Sequence, residues 1–178
     1  MGGKRKWQYK TAQADGWVDA GIGVFDVSGV MTPSASLEVI RDNADWTRAT
    51  ANVCQVVRYD CCAMAIDAES LLCNAQAIAL TNRSLETPTA LLVHADQHEL
   101  FSTYADLMAE AGILRAVFLD LDSALAWARE MAPIYAELTG SVCPGRARSS
   151  AVSWHEPRAS TDPLEEHRRV AQAARRRR

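Results

Sequence analysis

The sequence predicts a mixed α/β domain, a largely parallel sheet of four to five strands with helices packed on it and a disordered C-terminal tail. Three observations lead there. Short β-branched or aliphatic runs alternate with amphipathic stretches of helical length. Each such stretch opens on a residue able to cap free amides, at Thr32, Asp67, Asp96 and Asp120. Strands separated by helices need crossover connections, which join parallel neighbours.

The chain opens with two extended runs, Lys6 to Thr11 and Ile22 to Val30. Ala14-Asp15-Gly16 lies between them, and an Asp-Gly pair between strands reads as a hairpin turn. Thr32-Pro33 starts a helix, with a hydroxyl to accept an amide and a proline whose missing donor costs nothing in the first turn. Leu37, Ile40 and Ala44 fall on one face of it. Val53 to Val57 is a β-branched run suited to a buried strand, and an irregular stretch from Tyr59 to Ile66 leads to a helix opening at Asp67. Leu71, Leu72, Ala75, Ile78 and Ala79 make that helix's apolar stripe.

Thr89 to Val93 is the next strand, and Asp96 with Glu99 three residues on has the spacing of a capping box. Leu100, Phe101, Tyr104, Leu107, Met108 and Ala111 form the apolar face of the helix that follows, and Gly112 is placed to stop it. Ala116 to Leu119 returns as a strand. Asp120 caps a last helix lined by Leu121, Ala124, Leu125 and Ala128, with Pro133 expected to limit its length.

From Gly140 onward Pro, Gly, Ser, Arg and Ala replace the large aliphatics, a composition that buries too little surface to offset the entropy of ordering. The expected organisation is therefore one folded domain over residues 5–138 and a flexible Arg-rich tail over residues 139–178. Charge divides along the same line. Residues 11–139 carry 18 Asp and Glu against six Arg, while residues 140–178 carry nine Arg against four acids. An acidic body repels phosphate backbones, so any weak polyanion contact belongs to the ends, with Arg175 to Arg178 the obvious candidates. Lys4-Arg5-Lys6 runs into polar residues instead of an apolar signal, and no apolar stretch is long enough to span a membrane, so a cytoplasmic protein without membrane insertion is expected. The five cysteines, at 54, 61, 62, 73 and 143, have neither paired spacing nor disulfide density and are expected reduced.

The segment Ala90 to His94, the amphipathic helix after it, and Arg115-Ala-Val-Phe-Leu-Asp-Leu-Asp-Ser-Ala-Leu-Ala-Trp127 together resemble bacterial STAS-like domains of the sporulation anti-sigma factor antagonist type. Val27-Ser28-Gly29-Val30-Met31-Thr32 is similar to their second strand and the start of their first helix. The resemblance covers about residues 5–132 and rests on apolar, structural motifs. It implies a sheet backed by helices on one side and a binding role: switching an anti-sigma partner, regulating a transporter or carrying a lipid. Members that switch by phosphorylation carry a serine in an Asp-Ser-Ser-Gly-like turn. The matching stretch here is Ile66-Asp67-Ala68-Glu69-Ser70-Leu71, without the glycine, which makes Ser70 a helix-capping residue first and a modification site second.

His94-Ala-Asp96-Gln-His98-Glu99 is the densest set of potential ligands, placed where a strand passes into a helix. Asp96 and Glu99 have capping work there, and no nearby Cys or His closes a tetrahedral site, so no metal is expected. Adjacent Cys61 and Cys62 form a poor disulfide and read as core packing or an inert surface. No nucleophile elbow, phosphate loop or other cofactor motif is present. The expectation is a non-catalytic protein-interaction or regulatory module that uses no cofactor. Its candidate ligand or partner-binding residues are His94, Asp96, His98 and Ser70. The alternative is a small-molecule or lipid carrier, or a small enzyme, with a pocket between sheet and helices and the two histidines at its mouth. A closed core with a contiguous exposed apolar patch favours the module, and an internal cavity of ligand size the carrier.

Overall fold

The computed structural model describes residues 4–79 and 86–140. Its sheet has six strands in chain order: β1 Arg5–Gln8, β2 Ala12–Asp19, β3 Ile22–Met31, β4 Cys54–Met64, β5 Thr89–Leu92 and β6 Arg115–Phe118. β1, β2 and β3 pair antiparallel, and β3 through β6 are parallel. Four helices follow the parallel strands: α1 Pro33–Thr50, α2 Ala68–Ala79, α3 His98–Glu110 and α4 Leu121–Thr139. The mixed, largely parallel α/β sheet is as the sequence predicts, with one or two strands more than expected. The expected tail from residue 141 on, Cys143 and Arg175 to Arg178 included, lies outside the described residues.

The extra strand comes from the opening. Asp15 and Gly16 lie in the middle of β2, paired with Lys6 and Arg5 on one side and Asp26 and Phe25 on the other. The turn is two residues long, Ala20 (φ 49°) and Gly21 (φ 84°) between the paired Asp19 and Ile22. Two successive positive φ values give the type I′ geometry that matches strand twist. Gly16 is there for closeness: a Cβ on it would lie 2.9 Å from the Trp7 ring. Trp7, Phe25 and Trp46 pack with centroids 4.9–6.0 Å apart and tie β1 and β3 to α1.

All strand steps run the same way across the sheet and crossovers share one hand, so α1, α2 and α3 share a face. Their core joins Val39, Ile40, Leu71, Phe101 and Met108 to Phe25, Val27, Val57 and Tyr59. Leu37, expected on the buried face of α1, is exposed, because Val39, Ile40, Ala44, Trp46 and Thr47 make the contact instead. α4 corrects the expectation of helices on one side only. It crosses to the other face and packs Ala124, Ala128, Met131, Ala132 and Ala136 on Ile22, Cys54, Val56 and Ala90. Pro133 does not limit it, and the helix runs six residues further to Thr139 and the left-handed Gly140. The bond the proline forfeits is to the carbonyl of Arg129, an exposed residue, while buried Ala132 and Ala136 hold the last turns to the sheet.

The stretch from Tyr59 to Met64, expected to be irregular, continues β4 beside β3. A register shift between Asp26 and Ser28 lets β4 run on to the pair Met31 and Met64. No helix among the described residues is long and apolar enough to cross a membrane.

Candidate partner-binding site at the carboxyl edge

Parallel strands end together, so the carboxyl ends of β3, β4, β5 and β6 and the amino ends of all four helices share one edge. Caps satisfy much of the free backbone there. Thr32 Oγ1 accepts from the Ala35 amide at 3.3 Å, Asp67 Oδ1 from Ser70 at 2.7 Å and Asp120 Oδ1 from Ser123 at 2.8 Å. Those amides, with the Ser70 and Ser123 hydroxyls, hold the Asp67 and Asp120 carboxyls below the usual carboxylate range. Ser70 therefore gives its amide to the cap, and Asp67 is the capping residue of α2.

His94, Asp96 and His98 lie on the loop and first turn after β5, all exposed. His94 Nδ1 meets Asp96 Oδ1 at 2.7 Å, which engages one ring nitrogen and leaves Nε2 on the outer side of that bond. His98 turns along α3, its Nδ1 3.4 Å from Ser102 Oγ. The Asp96 to Glu99 capping box is not formed. Residues 95–97 make one 3₁₀ turn before α3, so Glu99 falls too late, and Asp96 faces His94. Among the described residues no three His, Cys, Asp or Glu side chains gather as metal ligands.

Gln97 is the residue sequence reasoning missed. It is buried, its Oε1 accepts from the His94 amide at 3.1 Å, and its Nε2 donates to the Cys62 carbonyl. The cause lies in strand lengths. β5 pairs with β4 only as far as Arg58 with Leu92, so β4 beyond that point needs other donors, and Gln97 supplies one. This link fixes the loop bearing His94 to β4, the strand that leads to Asp67 and Ser70. Cys61 is exposed and Cys62 buried, and Cys54, Cys61, Cys62 and Cys73 are free thiols. Burial pushes the Cys62 thiol up, away from reactivity.

Apolar side chains remain open at this edge. Leu119 is 56% and Leu121 37% exposed between β6 and α4, and Val30 at the end of β3 is 41% exposed.

A second polar group of residues is buried between the sheet and α1 to α3. Gln55, Thr89 and Arg115 are paired in register across β4, β5 and β6, and all three are buried. Arg115 Nη1 donates to the Thr87 and Leu114 carbonyls, both at 2.9 Å. Burial lowers its proton affinity, and the Tyr104 and Tyr59 hydroxyls act in the other direction. A cavity of about 30 Å³ lies here, lined by Ile40, Asn43, Tyr59, Tyr104 and Arg115 among others. Asn43 Oδ1, both amide atoms of Asn52 and Gln55 Oε1 are buried without a protein hydrogen-bond partner. An unsatisfied buried polar atom costs about 1–3 kcal/mol. Four of them dry would consume much of the ~5–15 kcal/mol by which a domain is stable.

No family model matches the chain, and no curated protein does. Among solved structures it is similar to an anti-sigma factor antagonist from Mycobacterium paratuberculosis, at 14% identity and a TM-score of 0.47, over 67% of this chain and 95% of that one.

The structure thus brings Ser70, His94, Asp96 and His98 to one edge and separates them from the cavity, whose lining includes neither histidine. The signal for the buried layer was present as polar residues inside apolar runs, Gln55 within Val53 to Val57 and Arg115 before Ala116.

Proposed function

We propose that the chain is a non-catalytic module that binds a protein partner through the carboxyl edge of its sheet, in a regulatory role in the cytoplasm. Leu119 and Leu121 supply the apolar contact centre, His94, Asp96 and His98 after the neighbouring β5 are polar contacts beside it, and Ser70 and then Val30 lie further along the same edge. The observation that carries this reading is the exposure of Leu119 and Leu121 beside the rigidly held His94 loop. An apolar pair on a preorganised polar frame is the anatomy of a contact centre with its rim. Residues 5–138 are the binding unit in this reading, and residues 139–178 add weak, salt-sensitive contact with polyanions. The cavity supports a carrier poorly, since about 30 Å³ is room for a few water molecules and not for a lipid chain.

Affinity capture from the native cell tests the reading. The whole chain, a version ending at Thr139, a Leu119→Asp variant and an Ile134→Asp variant serve as bait. Ile134 is also exposed but sits near the far end of α4. A stoichiometric protein retained by every form except Leu119→Asp supports the carboxyl edge. Equal retention by Leu119→Asp, or a small molecule retained in place of a protein, rejects it.

A further inference from the structure

The buried layer beneath α1 is unexplained by caps or by the partner surface, and it stands independently of the function proposed above. Asn43 comes from α1, Tyr104 from α3, and Thr89 and Arg115 from β5 and β6, so the cavity they line is where two helices and the sheet meet through polar groups. Strand register carries the same polar row on to Gln55, and Asn52 is packed against Gly23, the register partner of Gln55. We propose that the cavity is an internal binding site for ordered water, held by Asn43 Oδ1 on the α1 side and by the Tyr59, Tyr104 and Arg115 polar groups on the other.

Three features select water over other occupants. The unpartnered Asn43 Oδ1, on a residue that lines the cavity, is an acceptor and needs a donor, which a simple anion lacks. Tyr59 and Tyr104 add hydroxyls that can donate or accept, and water matches either role. The volume of about 30 Å³ exceeds the ~10–15 Å³ that a buried water needs and is too small for an organic ligand. The lining is polar enough to hold a water against its loss to bulk, unlike apolar cavities, which stay dry.

The test uses the full chain, isotopically labelled, in water-selective nuclear Overhauser spectra, repeated under xenon pressure and on Asn43→Leu. The expected result is a cross-peak between a long-lived water and the Val57 and Leu91 methyl protons, no xenon-induced shift at those methyls, and loss of the cross-peak in Asn43→Leu. A missing water cross-peak in the unaltered chain overturns the proposal. Xenon shifts would then mark a dry cavity, and their absence a closed one. A cross-peak that survives in Asn43→Leu removes Asn43 from the site and overturns it equally. If that variant does not fold, a crystal structure of the unaltered chain at atomic resolution decides, by water density between Asn43 Oδ1 and Arg115 or by none.

Discussion

On one face of the sheet α4 lays Ala124, Ala128, Ala132 and Ala136 against Ile22, Cys54, Val56 and Ala90, while on the other α1, α2 and α3 meet it through Trp46, Leu71, Phe101 and Tyr104. The alanines recur every four residues and are nearly fully buried, so one stripe of small side chains brings a helix close to the strands. The other face meets its helices through larger side chains, several of them aromatic, and the space between contains a cavity and polar amides. Burial on the α4 face drives the Cys54 thiol up to about 12. One sheet thus carries a tight apolar interface and a looser, partly polar one, and the two should respond differently to a change of volume.

The largest effect is expected on the aromatic side. Phe101 is fully buried and stacked on Tyr59 with centroids 4.9 Å apart. Phe101→Ala should cost about 3–5 kcal/mol in urea unfolding, because the rings around it cannot collapse into the space. The opposite change tests the other face. Ala128→Leu should cost about 1–3 kcal/mol, since Ala128 is fully buried in the same cluster as Cys54 and Ala90 and three more carbons overpack it. If Ala128→Leu were neutral and a large side chain were equally tolerated at Ala124, the α4 face would not be the close-packed one.

The sequence shows the elements of both faces and conceals how they differ. Thr32, Asp67 and Asp120 mark their helices because a cap is a local device, read from a few neighbouring residues. The alanine stripe of α4 was visible to Ala128, but which face it packs on depends on the last crossing of the sheet, which no local pattern records. Asp15-Gly16 misled because glycine serves close approach as well as turns, and only the Trp7 ring across the strand pair tells them apart. Of the candidate site, the positions of His94, Asp96 and His98 at a strand-to-helix passage were legible. Gln97 was not, since its task arises from β4 outrunning β5, a difference in length between two strands far apart in sequence.

A smaller effect separates the helix caps at the carboxyl edge from both cores. Asp67 and Asp120 have lowered carboxyl pKa values in the folded chain because amides donate to the ionised form. The unfolded chain therefore binds protons more readily as the pH falls. The caps' contribution is complete above the ordinary carboxylate range and is lost as the pH drops through the lowered folded values. Asn accepts the same amide bond without titrating, so the double change Asp67→Asn and Asp120→Asn should leave the neutral urea midpoint close to that of the unaltered chain and flatten its decline in acid. An unchanged acid limb would mean that other carboxylates govern it. Asp26, raised by burial despite Arg58 3.6 Å away, works in the opposite sense and gains stability as it protonates.

The smallest stability change is expected where the functional change is largest. Leu119→Asp and His94→Ala alter side chains that face solvent and belong to neither core, so each should shift the unfolding free energy by no more than about 0.5 kcal/mol. Gln97→Ala sits a few residues from His94 and should behave otherwise. It strips the Cys62 carbonyl and the His94 amide of their partners at once, and two such losses cost about 1–3 kcal/mol together even with some access to water. Unfolding curves for the three variants, set beside partner retention, separate contact from support. Leu119→Asp should lose the partner at native stability, whereas Gln97→Ala should weaken binding only as the His94 loop loosens, seen as faster amide exchange at His94. Equal stability loss in all three would place Leu119 in the core and withdraw the carboxyl edge as a contact surface.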